Sequence, residues 1–357
     1  MYTKTTIMNR FIKQLFIASL ISCVFCFSAL ANSDEEDDLY SLSLEELMNI
    51  RMKKISLLDV PHTHAKGEIM LSYHYMSMNM EGARDGTKDI SNDVILQDYM
   101  VAPDKMNMMM HMFHLMYAPS DRLTFMLMMN QTTKSMDVVM RNGMEFSTTS
   151  KGFSDIKISA LYTLFEKKET RLVGGFGLSL PTGSINATDA TPMNEQGQKL
   201  PYPMQIGTGT VDPTMSLTYF LSNTNYGWGV DMRNTFRLYD NENGYHFGNT
   251  FKSTGWYSRI WNDWFTTTLM TDFLQQGKIS GADEDLNPMM IYTADPSLSN
   301  GTIIYGGLGI NLHPNGKIEG LRLAIEGKLP VFQNLNGPQM KHKNALKVAL
   351  TYVFQKK

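Results

Sequence analysis

Between Met70 and Met144 the chain carries 17 of its 29 methionines. The stretch "DKMNMMMHMFHLMYAPSD", Asp104 to Asp121, holds six of them together with His111 and His114. A thioether is a soft, uncharged donor suited to Cu(I) and, by the same softness, to Ag(I); as packing it is a flexible apolar filler. It needs no deprotonation to bind a metal. A row of such sites would therefore be weak, exchangeable and acid-tolerant, better at handing an ion along than at storing it. Which chemistry applies depends on where the side chains point.

Residues alternate between the two faces of a strand, so parity assigns the face. Over 68–80, Met70, His74, Met76, Met78 and Met80 lie opposite Ile69, Leu71, Tyr73 and Tyr75. Over 105–118, Met106, Met108, Met110, Met112, His114 and Met116 lie opposite Phe113, Leu115 and Tyr117. Over 122–132, Met126 and Met128 lie opposite Leu123, Phe125 and Leu127. Eleven of the thirteen methionines in these strands share the face away from the apolar and aromatic side; Met109 and Met129 do not. A lipid environment accepts methionine readily, so hydrophobicity alone would enrich the other face. These thirteen inward Met and His side chains are the candidate soft-metal residues. Met136, Met140 and Met144 continue the patch onto the loop that follows. His62-x-His64, ahead of the first strand, could chelate, but as a lone motif it reads as a solvated loop near the periplasmic mouth.

The three strands belong to a longer pattern. Period-two alternation marks strands at 68–80, 105–118, 122–132, 153–165, 170–181, 210–221, 226–238, 247–261, 264–276, 301–313, 319–331 and 343–354. Short connections alternate with mostly long ones, and Trp228, Trp261 and Trp264 all fall beside short turns. Even strand number, unequal rims and an aromatic girdle predict an all-β fold: a transmembrane antiparallel up-and-down β-barrel of about 12 strands over 68–357. A soluble β-sandwich does not explain the regular alternation of loop length.

Residues 1–31 read as a cleaved signal peptide: Lys4, Arg10 and Lys13, an apolar run from Leu15 to Phe27, then Ala29-Leu30-Ala31. Residues 32–67 form an acidic leader with a short amphipathic helix opened by the capping box Ser43-Leu44-Glu45-Glu46. Cys23 and Cys26 both fall in the signal, so the mature chain is expected to hold no disulfide and no thiolate metal site. Its loss takes the formal charge from −3 to −6, against a nucleic-acid partner. No apolar run after it is long enough for a transmembrane helix. The expected location is the outer membrane of a Gram-negative bacterium, with its lipid as a partner.

Three segments, "GFSDIKISALY" (Gly152–Tyr162), "GGFGLSLPTGS" (Gly174–Ser184) and "LPYPMQIGTGT" (Leu200–Thr210), resemble outer-membrane barrels grouped as transporters of the meta-pathway of phenol degradation type. The resemblance spans most of the mature chain. It implies a barrel with a transport role and fixes no substrate. Phe354 is followed by Gln355-Lys356-Lys357, where many such barrels end on an aromatic residue. Residues 32–67 are too few for the plug domain of a TonB-dependent receptor.

Asp155, Lys157, Asp231, Arg233, Arg237, Asp272, Arg322, Glu326, Lys328 and Lys347 also read as inward, with both signs interspersed, as in a self-paired interior network. The 182–209 loop could fold inward as a constriction. There is no nucleophile elbow, no Ser/His/Asp constellation and no HExxH, and Gly174-Gly175-x-Gly177 lies within a strand, so no enzyme is expected. The sequence leaves a first reading and two alternatives. The first is an outer-membrane barrel handling Cu(I) or Ag(I), with no required cofactor and a transient soft ion. The second is a channel for small hydrophobic or aromatic compounds, and the third a structural barrel without a transported solute. No residue pattern names a periplasmic partner.

Overall fold

The computed structural model describes residues 57–58, 60–167, 169–314 and 320–354. The signal peptide, the helix at the capping box and the C-terminal Gln355-Lys356-Lys357 lie outside them. Strands and helix run in the order β1 (Ile69–Gly86), β2 (Lys88–Ile90), α1 (Asn92–Asp98), β3 (Val101–Ser120), β4 (Leu123–Met140) and β5 (Glu145–Phe153). Then follow β6 (Ile156–Lys167), β7 (Thr170–Leu180), β8 (Thr188–Thr191), β9 (Asn194–Lys199), β10 (Asp212–Ser222) and β11 (Tyr226–Thr235). The chain ends with β12 (Tyr245–His246), β13 (Thr250–Asn262), β14 (Phe265–Gln276), β15 (Ser280–Gly281), β16 (Gly301–Leu312) and β17 (Leu321–Phe354).

Eleven of these close an antiparallel barrel in the order β1-β3-β4-β6-β7-β10-β11-β13-β14-β16-β17, and β17 pairs back onto β1. The last of them runs along two neighbours in turn. Leu323–Leu335 pairs with β16, and Leu335–Phe354 pairs with β1. The chain doubles back at Gly337, whose φ of +74° is a conformation that residues with a side chain rarely adopt. The wall is therefore crossed twelve times, once for each strand expected from the alternation. Strands β2 and β5 extend the sheet at its long-loop end, while β8–β9 form a small hairpin in one long loop and β12–β15 join two different loops.

The faces divide as parity requires. Leu71, Tyr73, Phe113, Leu115, Phe125, Leu269, Leu308 and Leu350 point outward and are exposed. An apolar surface this extensive would be untenable against water and is the natural exterior against hydrocarbon. Trp228, Trp261 and Trp264 stand exposed beside the short turns, where an interfacial girdle belongs.

Inside, the circumference is split. Away from the methionines, buried threonines and serines alternate with carboxylates that are hydrogen-bonded or paired. Thr254 Oγ1 donates to Asp272 at 2.8 Å, Lys328 Nζ donates to Asp272 at 2.7 Å, and Thr218 Oγ1 donates to Asp231 at 2.7 Å. Arg237 pairs with Asp212. Asp231 with Arg233, Arg237 with Asp212, and Asp272 and Glu326 with Lys328 thus pair as expected of inward charges, which would otherwise be costly to bury, whereas Asp155 is satisfied by a loop instead.

Two features extend beyond the sequence expectation. Strands β1, β3 and β4 are longer at the long-loop end, so Met136 and Met140 lie on β4 itself rather than on a loop; only Met144 is in the turn. And the chain before β1 is not a solvated loop. Leu57 and Val60 pack against Trp256 and Met270 inside the barrel, and the Leu58 N–H donates to Glu326 at 2.9 Å. Trp256 has room there because β11 carries Gly229, where a Cβ would sit 2.5 Å from the indole. Thr63 and Thr163 share a hydrogen bond of 2.9 Å, and the His64 N–H donates to Thr124 at 3.0 Å. Residues 57–58 and 60–64 therefore fill the short-turn end of the lumen.

Candidate functional site: a methionine wall between two cavities

Antiparallel pairing of β1, β3 and β4 puts directly opposed side chains about 5 Å apart, with successive inward rows about 7 Å apart. From the short-turn end the rows read Met70–Met116–Met126, Ser72–His114–Met128 and His74–Met112–Asn130. They continue as Met76–Met110–Thr132, Met78–Met108–Lys134 and Met80–Met106–Met136. All thirteen Met and His residues singled out in the sequence are brought onto this one inner surface. His111 is on the other face, where its Nδ1 lies 2.7 Å from the Tyr73 hydroxyl.

The wall has three zones. At the short-turn end, Met70 and Met116 are buried with Leu161, Val173 and Val353, flanked by Met126 and Phe220. At the long-loop end, Met106 and Met136 are buried with Val101, Leu200, Met204 and Tyr292, with Met80 and Met140 packed alongside. Between these, Met76, Met78, Met108 and Met110 are only half-buried and border the lumen.

Each end of the wall lines a cavity. The inner one, of about 80 Å³, is bordered by Met70, His74, Met112, His114, Met116, Met126 and Met128, and closed by Leu57, Val60 and His62 of the N-terminal segment. The outer one, of about 60 Å³, is lined by Met136, Phe146, Val138, Leu200, Met193 and Met290. Met136 at the outer cavity and Met112 at the inner one are joined through Met106, Met108 and Met110 along β3.

The histidines reach this surface from two directions. His74 and His114 are buried with ring centroids 4.2 Å apart, and Ser72 Oγ lies 2.7 Å from His74 Nε2 and orients that ring. His62 and His64 face each other with centroids 5.0 Å apart, and His64 Nδ1 is 3.2 Å from Glu68. The His62-x-His64 pair, expected as a solvated loop, is thus enclosed in the barrel. Its missed role has no periodic signal in the sequence, because an irregular segment carries none.

The 181–211 loop turns inward over the outer half of the wall, burying Leu200, Tyr202, Met204 and Ile206. It is tied down at two places. Lys134 Nζ, on the wall itself, donates to the carbonyls of Pro203 (2.8 Å) and Gln205 (2.6 Å), and Ser150 Oγ donates to Met204 O at 2.6 Å. The second tie is buried Asp155. One carboxylate oxygen accepts from Gly183 N at 2.9 Å; the other accepts from Thr208 N at 2.9 Å and Thr208 Oγ1 at 2.8 Å. Gly183 and Gly207 pass so close that a Cβ on Gly207 would lie 2.2 Å from Gly183 O. Asp155, Gly183 and Gly207 come one each from the three segments quoted above. Those segments therefore meet in a single knot that holds the constriction.

No family model and no curated protein matches the chain. Among solved structures, the crystal structure of the COG4313 outer membrane channel from Pseudomonas putida F1 is similar with a TM-score of 0.58 at 13% identity, covering 84% of this chain and 100% of that one. The CymD monoaromatic hydrocarbon channel has a TM-score of 0.42 at 8% identity, covering 82% of this chain and 90% of its own. A NanC porin structure has a TM-score of 0.39 at 8% identity, with coverages of 78% and 98%. The fold is that of an outer-membrane β-barrel. Identities this low speak to the fold and not to the solute.

Proposed function

We propose that this protein is an outer-membrane channel that passes small, weakly polar organic solutes along its methionine wall. The observation that carries the reading is continuity along β3: Met106, Met108, Met110 and Met112 follow one another from the outer cavity, reached through Met136, to the inner one, with Lys134 on β4 facing Met108. Thioethers adapt their shape at little cost and demand no strict hydrogen-bond geometry, so a passing solute meets a yielding surface with no strongly held site.

Passage of Cu(I) or Ag(I) along the same wall is less well supported. Lys134 stands directly opposite Met108 in the half-buried middle of the path. A fixed cation there opposes a travelling cation and is indifferent to a neutral solute.

Uptake of a nonionic monoaromatic such as phenol, measured in cells whose outer membrane limits entry, tests the proposal. Expression of the protein should raise the initial rate. Met108→Leu should preserve it, and Met108→Glu, which places a carboxylate in mid-path, should reduce it about tenfold through the cost of desolvating a charge beside the solute. Equal uptake with and without the protein would sink the proposal.

A further inference from the structure

We infer that the inner end of the wall is a binding site for a soft monovalent cation, Cu(I) or Ag(I), built from Met70, Met116, Met126, Met128, His74 and His114. This site lines the inner cavity at which the methionine path ends, and it is inferred from its donor set rather than from solute passage. The three innermost rows form a grid of nine side chains, of which seven are thioether or imidazole; Ser72 and Asn130 are the other two.

Three properties point to this ion class. First, every donor is neutral, since imidazole binds through an unprotonated nitrogen and thioether carries no charge. A buried site of neutral donors tolerates a single positive charge far better than two. Second, apart from Ser72 and Asn130 the side chains facing one another in these rows are thioethers and imidazoles, with no carboxylate among the nine. The donor set is soft, and carboxylate-rich sites for Ca²⁺ or Mg²⁺ are of another kind. Third, the site is enclosed and preorganised. Two buried imidazoles converge to 4.2 Å between centroids, one of them fixed by Ser72, and His62 closes the same cavity from the lumen side. Arg233 also borders the cavity, and its guanidinium faces Asp231 at 3.5 Å, which offsets its charge near the bound ion.

Simple packing would explain buried methionines, and it makes a different prediction. Leucine has nearly the volume of methionine and no donor, so Met→Leu preserves packing and removes binding.

The test uses full-length protein purified in detergent, titrated with Cu(I) against a chromophoric Cu(I) chelator and with Ag(I) by calorimetry. One ion per chain is expected, with sulfur and nitrogen neighbours in the Cu(I) X-ray absorption spectrum. The combined variant M70L/M116L/M126L should weaken binding at least about tenfold while keeping the heat-modifiable gel shift of a folded barrel. M76L/M78L/M110L, higher on the same wall, should leave the affinity unchanged. His74→Gln and His114→Gln should each weaken binding with every thioether in place, which keeps the test decisive if the triple variant does not fold. Absence of binding, affinity unaltered by the inner variants, or a loss that follows the upper variant instead would each overturn the site. Organic uptake is read in cells and metal binding on purified protein, so failure of one leaves the other standing or falling on its own result.

Discussion

Asp155→Ala should widen the constricted lumen of the barrel. The substitution leaves the N–H groups of Gly183 and Thr208 and the Thr208 hydroxyl without the carboxylate that now accepts from all three. Hydrogen bonds to a charged acceptor contribute about 1.5–3 kcal/mol each, so the loop loses three strong ties at its base and keeps weaker ones such as that of Thr208 Oγ1 to Asp212. The barrel wall does not pass through this knot and should persist. Single-channel recordings in planar bilayers should show a several-fold rise in conductance. Trypsin should cut after Lys199, which lies in the same loop and is held in the wild-type protein by Asp283 at 2.7 Å. Unchanged conductance together with continued resistance at Lys199 would show that the loop is not the constriction.

The second large effect concerns the opposite end of the lumen. Replacing residues 57–64 with a Gly/Ser segment of equal length, glycine at 63 and 64, removes Leu57 and Val60 from the Trp256–Met270 cluster, the Thr63 hydroxyl from Thr163 and the His64 ring from Glu68. Burying a side chain of this size contributes about 1.5–3 kcal/mol, so the folded protein should lose several kcal/mol against urea while the twelve-crossing wall remains. With the segment released, conductance should rise several-fold, and combination with Asp155→Ala should raise it further than either alone because the two ends act in series. A conductance equal to wild type in the segment variant would mean that residues 57–64 do not obstruct the path.

Much of this architecture was legible in the chain because a barrel strand writes its environment at period two. Leu71, Tyr73, Phe113 and Leu115 are outward and Met70, His74, Met112 and His114 inward, as parity dictates. The aromatic girdle was equally readable, since Trp228, Trp261 and Trp264 are placed by the interface and not by tertiary packing. The upper reach of β1 was not. Glu81, Arg84 and Asp85 interrupt the apolar alternation, yet they continue the strand above the lipid, where no outward apolar face is required. The N-terminal segment was illegible for another reason: its contacts, such as Leu58 with Glu326, join residues far apart in sequence and leave no local pattern. The constriction knot lay in between. Its glycines and its aspartate stood in the three most distinctive segments, but only their convergence shows that Gly183 and Gly207 are there to let two backbones touch at Asp155. Lys134 was read as neither site nor anchor, although it does both: it breaks the sulfur surface and ties down the loop.

The central claim is that the methionine wall faces a water-accessible lumen, and cysteine scanning along β3 tests it most directly. Single cysteines at positions 108, 109, 110 and 113 would be exposed in intact outer membranes to a small water-soluble methanethiosulfonate and, separately, to a lipid-partitioning maleimide. Met108→Cys and Met110→Cys should react with the water-soluble reagent, and Met109→Cys and Phe113→Cys only with the lipid-partitioning one. Labelling without alternation, or inward positions reached only from the lipid, would contradict the account.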